Sequence, residues 1–223
     1  MSAPLVSRQT LADQVHSRIV EAIVVGDIAA GAPISEIEIA ERFGVSRGPA
    51  REAIFRLEAK GLVSRVAHHG ARVVDLNLGD LRSLFEIREG LEGMCCRLAA
   101  ERMTDTELAG LAQKLRRHAN VPEVAAGQSY YQGTGDQDFH LAIAAGSRNQ
   151  RLLRALSDDL YDVLRVYRFR SSASPGRTPK ALAEHKAIVT ALKSRVPSAA
   201  EEAMRKHIRS SWANIQTTFE GVV

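Results

Sequence analysis

The sequence predicts a mainly α-helical chain in two parts: three helices and a β-hairpin over residues 1–75, then an all-α antiparallel bundle of six helices over residues 76–223. Three observations carry this expectation. Only 5% of the 223 residues are aromatic while 45% are hydrophobic, so the core rests on Leu, Ile, Val and Ala, which suits packed helices better than a sheet sandwich. Apolar residues recur at helical spacing through most of the chain, with Ser or Thr at several starts and Gly at several stops. β-prone runs occur in one place, Leu62 to Val66 and Ala71 to Val74, and the signal disappears after Leu76.

The first helix begins at Thr10, which can cap it with Asp13 three residues on, and carries Leu11, Val15, Ile19, Ala22 and Ile23 as far as Gly26. Ser35 and Glu38 form a Ser-x-x-Glu capping box for a short second helix that ends at Gly44. Ser46 opens the third, with Ala50, Ile54 and Leu57 on its apolar stripe and Gly61 at its end. The β-prone runs then read as a hairpin around His69-Gly70. Beyond it, Leu84, Ile87, Leu91, Met94 and Leu98 make a heptad-like stripe on a long helix, and Thr104-x-x-Glu107 caps the next. After a loose stretch from Val121 to Gly135 come helices around Asp136 to Ala145 and from Asn149 to about Arg170. The last two span Pro179 to Val196, and a segment capped by Ser198-x-x-Glu201 that runs to about Phe219.

Composition narrows the function. The length suits two domains. The only cysteines, Cys95 and Cys96, are adjacent on one helix, which excludes an intrachain disulfide framework and points to a reducing cytoplasm. No apolar run approaches membrane-spanning length, and the N-terminus lacks a secretory pattern, so the expectation is a soluble cytoplasmic protein. The net charge of +4 says little; its distribution says more. Residues 8–41 hold two basic and six acidic side chains, whereas residues 42–72 hold seven basic and two acidic. A positive field concentrated in one short stretch suits contact with a phosphate backbone.

A helix, a tight turn at Gly44 and a second capped helix form a helix-turn-helix, and the hairpin adds a wing. In that arrangement the N-terminal residues of the second helix face base edges in the major groove. They read Ser46-Arg47-Gly48-Pro49-Ala50-Arg51. Arg47 and Arg51, one turn apart, project along one stripe and can pair bidentately with guanine or fork onto phosphate. Gly48 permits close backbone approach, and Pro49 is tolerated in a first turn because it lacks only an already orphaned N–H. The hairpin tip His68-His69-Gly70 lies within reach of a neighbouring minor groove, with Arg65 and Arg72 near the backbone. Two isolated arginines would read as solvated charges; the ordered series of cap, turn, arginine stripe and hairpin is much more specific.

Residues 31–74, "GAPISEIEIAERFGVSRGPAREAIFRLEAKGLVSRVAHHGARVV", resemble the winged-helix signature of the GntR family of bacterial regulators. The match centres on Glu36, Ile39-Ala40, Gly44-Val45-Ser46-Arg47, Pro49, Arg51-Glu52-Ala53, Leu57 and Gly61-Leu62-Val63. The resemblance implies DNA contacts by Ser46, Arg47, Gly48, Pro49 and Arg51, with Gly70 at the wing tip. Gly48 stands where the family commonly has Thr, so no hydroxyl contact carries over to that position.

The C-terminal part holds a second constellation. On a helix, Asp136 and His140 at i, i+4 share a face and can chelate one ion. His185 and His207 lie mid-helix on neighbours joined by the short Pro197-Ser198 turn, which can bring both rings to the bundle interior. By spacing alone each histidine reads equally well as a core or surface residue. Three neutral imidazoles with one carboxylate would suit Zn, Ni, Mn or Fe.

The segments "LFEIREGLEGMCCRLAAERM", "DQDFHLAIAAGSRNQRL", "EHKAIVTALKSR" and "AAEEAMRKHIRSS" are similar to the FCD ligand-binding domain of FadR-type GntR regulators, and six helices resemble the VanR-like branch. The resemblance implies a divalent metal, Zn foremost, on Asp136, His140, His185 and His207. It also places Arg88, in "FEIREGLE", against the carboxylate of a small acidic effector; the bland alternative for Arg88 is a solvated pair with Glu92 at i+4. Asn149 stands where the family has an Asn after a Gly, and it can equally cap the next helix. The expected protein is a homodimeric regulator, a repressor by the commoner sign, that binds a pseudo-palindromic double-stranded operator under control of a small carboxylate. In the alternative the ion itself is the signal. A metal-dependent enzyme is disfavoured, because no general base accompanies the metal set and the chain carries a DNA-reading head.

Overall fold

The structure is a computed structural model describing residues 10–66, 70–127, 138–172, 174 and 176–220. The chain divides into two compact units at the step from Asp75 to Leu76.

In the N-terminal unit, α1 spans Leu11–Val25, α2 Glu36–Phe43 and α3 Arg47–Ala59. Thr10 and Asp13 close a reciprocal capping box: the Thr10 hydroxyl accepts the Asp13 N–H at 3.1 Å, and Asp13 accepts the Thr10 N–H at 2.7 Å. Arg56 of α3 also reaches Asp13, tying α3 to the start of α1. Donation from the Thr10 hydroxyl and N–H, and then from Arg56, lowers the Asp13 carboxyl to about 2. Ser35 caps α2 by accepting the Glu38 N–H. The turn into α3 needs a left-handed residue, which Gly44 supplies at φ 67°. Ile19, Ile23, Ile54, Leu57, Val63 and Val73 are buried in the core of this unit.

The hairpin is present as β2 (Val63–Val66) and β3 (Gly70–Val73), but a further strand joins it. The pair Pro33–Ile34, β1, lies antiparallel to β3 with Pro33 opposite Arg72 and Ile34 opposite Ala71, giving the order β1-β3-β2. Two residues show no periodicity, so this strand left no pattern to read.

In the C-terminal unit, α4 spans Leu78–Arg102, α5 Asp105–Ala119, the short α6 Pro122–Ala125, and α7 Phe139–Gly146. Then follow α8 (Gln150–Arg154), a π-helical turn (Ala155–Leu160), α9 (Tyr161–Ser172), α10 (Arg177–Lys193) and α11 (Pro197–Glu220). The single helix expected from Asn149 to about Arg170 is therefore a column of α8, π turn and α9, capped by Asn149 as anticipated. Pro197 is the first residue of α11, where its missing N–H costs nothing, so Ser198 lies inside the first turn and is not its cap. Helix α4 packs along α11 and against α7, while α10 packs against α11 and α5.

The heptad-like stripe of α4 does not face this core. Ile87 is 52% exposed and Met94 40%, whereas Leu81, Phe85, Arg88, Glu92, Cys95, Cys96 and Ala99 are buried. An apolarity pattern passes over the inward stripe because two of its members are charged; they are tolerated there by pairing with each other. Among the described residues no helix is long and apolar enough to cross a membrane.

One packing contact gives a direct prediction. A Cβ added at Gly146, the end of α7, would lie 2.5 Å from Met103 Cγ and 2.6 Å from its Sδ. Gly146→Ala is therefore expected to destabilise by roughly 1–3 kcal/mol through overpacking. Urea unfolding checks this, and an unchanged midpoint would show that Met103 repacks freely.

Candidate functional sites

The first site lies at the start of α3. Arg47, Gly48, Arg51, Glu52 and Phe55 are exposed on one side, while Ala50, Ala53, Ile54 and Leu57 are buried on the other. The helix thus presents a basic stripe that ends in an outward-facing aromatic ring, 64% exposed. Phe55 drew no attention in the sequence, although it continues the i, i+4 series from Arg47 and Arg51. Ser46 occupies the cap position, yet its hydroxyl makes no capping hydrogen bond. Arg47 lies 3.8 Å from Glu36 in an exposed pair, which is readily exchanged for another anion. Gly70 opens β3 at φ 76°, a left-handed conformation that glycine adopts without strain. His68 and His69 lie outside the described residues. Arg65 pairs with Glu58 at 3.0 Å, and Arg72 donates to the Gly31 carbonyl at 2.8 Å, so both help hold this unit together.

The second site is buried in the helical unit. His140 of α7, His185 of α10 and His207 of α11 place one ring nitrogen each within 4.8 Å of one another. The Nε2 atoms of His185 and His207 are 3.2 Å apart. The outer nitrogens of two rings meet carboxylates: His140 Nδ1 lies 2.5 Å from Glu92 and His207 Nδ1 2.8 Å from Glu184. A carboxylate on Nδ1 fixes the tautomer that leaves the Nε2 lone pair facing the cluster. His185 is stacked on Phe139, centroids 4.3 Å apart.

Burial disfavours the imidazolium form of all three rings. It lowers His140, drives His185 well below the ordinary histidine value, and brings His207 to about 3. Three neutral donors converging from three helices fit a divalent cation. A separation of 3.2 Å is also what two imidazole nitrogens, each about 2.0–2.1 Å from one ion, would show.

Asp136, the fourth ligand expected from the sequence, lies outside the described residues. The helix meant to align it with His140 starts later, at Phe139, because Asp138 caps it by accepting the N–H groups of His140 and Leu141. A continuous helix from residue 136 to 140 is therefore not the basis on which the two could meet.

Arg88 is 1% exposed and donates to Glu92 at 2.6 Å. The i, i+4 pair is real, but it is buried beside the histidines instead of solvated. Burial lowers the guanidinium to about 10. Burial alone would raise the Glu92 carboxyl, yet Arg88, His140 and Arg168 together hold it well below the usual range. Two further arginines, Arg168 half-buried and Arg177 buried, escaped sequence reading. Arg168 of α9 binds Asp138 at 2.6 Å, and Arg177 of α10 binds Glu184 at 2.9 Å. A charged residue on a mostly helical stretch gives no local sign of pointing inward. Glu184, directly before His185, was the one partner that adjacency could have suggested.

Comparison with known proteins agrees with this architecture. Residues 11–73 match the bacterial regulatory proteins of the gntR family, and residues 83–210 match the FCD domain. The chain is 33% identical over 204 residues to a Paenarthrobacter nicotinovorans protein named "Probable D-xylose utilization operon transcriptional repressor", covering 91% of this chain and 87% of that one. It is 29% identical to the HTH-type transcriptional repressor RspR of Escherichia coli K12, over 82% of this chain and 78% of that protein. Among solved structures, E. coli McbR/YncC superposes with a TM-score of 0.76 at 21% identity, covering 94% of this chain and 99% of that one, which bears on the fold. The arginine-striped helix, the sheet beside it and the all-helical partner unit thus have their counterparts in one group of proteins, and the chain belongs to it: it is a DNA-binding transcriptional regulator of the GntR family with an FCD domain, not an enzyme.

Proposed function

We infer that this protein is a homodimeric, metal-containing repressor that releases its operator when a small organic acid binds the helical unit. The observation that carries the reading is the cluster of His140, His185 and His207, buried, neutral and braced by Glu92 and Glu184. Zn²⁺ is the ion that such a nitrogen set suits best, with Ni²⁺, Mn²⁺ and Fe²⁺ as competitors. Asp136 is the proposed fourth ligand on the strength of the family resemblance. Three protein nitrogens leave coordination positions open, and a carboxylate effector would take them with Arg88 at its other end.

Operator contacts are assigned to Ser46, Arg47, Gly48, Pro49 and Arg51 of the α3 start, with Gly70 in the wing. A homodimer matches a pseudo-palindromic site. The exposed heptad members Ile87 and Met94, with Leu84, Leu91 and Leu98 half-buried along the same stripe, support pairing of α4 with a second copy. Such a regulator acts where the DNA is, in the cytoplasm. The effector acts through its different affinity for the DNA-competent and DNA-incompetent states.

The test is to select a binding site from random duplexes and measure its affinity for zinc-loaded and metal-stripped protein across a panel of small carboxylic acids. The reading expects one acid to weaken operator binding in the loaded protein only. Operator binding that follows zinc and ignores every acid would support the ion as the signal instead.

A further inference from the structure

A second line of hydrogen bonds leads away from the histidines. His140 is held by two carboxylates: its backbone N–H donates to Asp138 at 2.7 Å, and its Nδ1 meets Glu92 at 2.5 Å. Both carboxylates also receive Arg168 of α9, at 2.6 Å from Asp138 and 3.4 Å from Glu92. The residue before it, Tyr167, is 4% exposed, and its hydroxyl oxygen accepts the backbone N–H of Leu76 at 3.1 Å. Leu76 is where the chain enters the helical unit, directly after Asp75 of the DNA-binding unit.

Tyr167 and Arg168 are neighbours in one helix, so a shift of that helix moves both. Their helix begins at the π turn Ala155–Leu160, a geometry in which a helix can change register locally and one that recurs at functional sites. Hydrogen bonds run from the imidazole through the carboxylates to the Arg168 guanidinium; from there the connection to the Tyr167 phenol and the Leu76 amide is the body of helix α9 itself. Contiguity alone does not make coupling; that requires both ends to respond together.

We propose that Tyr167 is a positioning residue that transmits the state of the histidine cluster to Leu76, the segment by which the chain enters the helical unit. The proposal rests on the metal reading above. When His140 shares its lone pair with an ion, Glu92 on its Nδ1 adjusts, Arg168 follows, helix α9 shifts with it, and the Tyr167 hydroxyl changes its hold on the Leu76 N–H. A purely static tie at Tyr167 would show the same hydrogen bond but no such response.

The test is hydrogen exchange at the Leu76 amide, read by NMR on the full chain with Zn²⁺ as the probe, loaded or stripped. In the natural protein the two states are expected to differ roughly 2- to 10-fold in exchange rate, the scale of one modest hydrogen bond. Tyr167→Phe is expected to bind zinc with unchanged stoichiometry while its Leu76 amide exchanges equally fast in both states. Arg168→Gln, which cuts the line elsewhere and serves if Tyr167→Phe fails to fold, is expected to keep Leu76 protected but indifferent to zinc. A variant that retains the full zinc-dependent difference overturns the proposal. So does natural protein that takes up zinc with no change at Leu76, which leaves the metal reading standing. Absence of zinc uptake, read separately by metal analysis, contradicts the metal reading and the coupling together.

Discussion

His207→Ala is expected to remove stoichiometric metal binding, weakening it by more than about 100-fold, since the outer partner of a ligand alone is worth about 10- to 100-fold. The reason is geometric. His207 Nε2 is 3.2 Å from His185 Nε2, and the three rings converge from separate helices, so the variant loses one of three converging nitrogens. Glu184→Gln should fall in the smaller range, because the carboxylate holds the ring at 2.8 Å without entering the cluster. Competition with a zinc chelator, followed by metal analysis, separates the two. Equal, stoichiometric zinc in the natural protein and the His207→Ala variant would dismiss the site. His185→Ala should behave as His207→Ala does, and it would also remove the stacking partner of Phe139.

The second large effect is expected at the DNA face. Arg47→Ala should weaken binding to the selected operator by roughly 1–3 kcal/mol if Arg47 reads a base pair bidentately, and hardly affect random duplex. Arg51→Ala has the same expectation one helical turn on. The salt dependence supplies the control. If the arginine instead grips a phosphate, its removal would weaken both duplexes alike and reduce the salt slope by about one. Arg47 gives up only an exposed pair with Glu36 at 3.8 Å, so little opposes its transfer to DNA. Full retention of operator affinity in the double variant would remove α3 from the reading.

Legibility differed between the two units for a physical reason. The DNA-binding unit is short and built from local signals. The box at Thr10–Asp13, the Ser35 cap, the left-handed turn at Gly44 and the hairpin all act over a few residues, and each is visible in sequence. The strand Pro33–Ile34 escaped because two residues carry no period. In the helical unit the long helices and their order could be read, but the short α6, the break between α8 and α9, and the inward faces could not. The apolar heptad on α4 faces outward, and the inward stripe holds Arg88 and Glu92, whose burial depends on Arg168 and His140 from other helices. The start of α7 was placed too early in sequence, since Asp138 caps it and the helix begins at Phe139. The π turn at Ala155–Leu160 contains neither Gly nor Pro, the residues that usually announce a break. The histidines themselves were found by spacing and resemblance; what orients them lies on helices far away in sequence.

The most direct test of the central claim is thermal unfolding of the purified protein in three forms: zinc-loaded, chelated, and zinc-loaded with each of a set of small carboxylic acids. A ligand at 100 times its Kd stabilises the folded state by about 2.7 kcal/mol. Zinc is therefore expected to raise the midpoint by several degrees, and one acid to raise it further only when zinc is present. The His207→Ala variant should show neither step. Midpoints that ignore zinc, chelator and every acid alike would contradict an account in which the buried histidines hold the metal that anchors the effector.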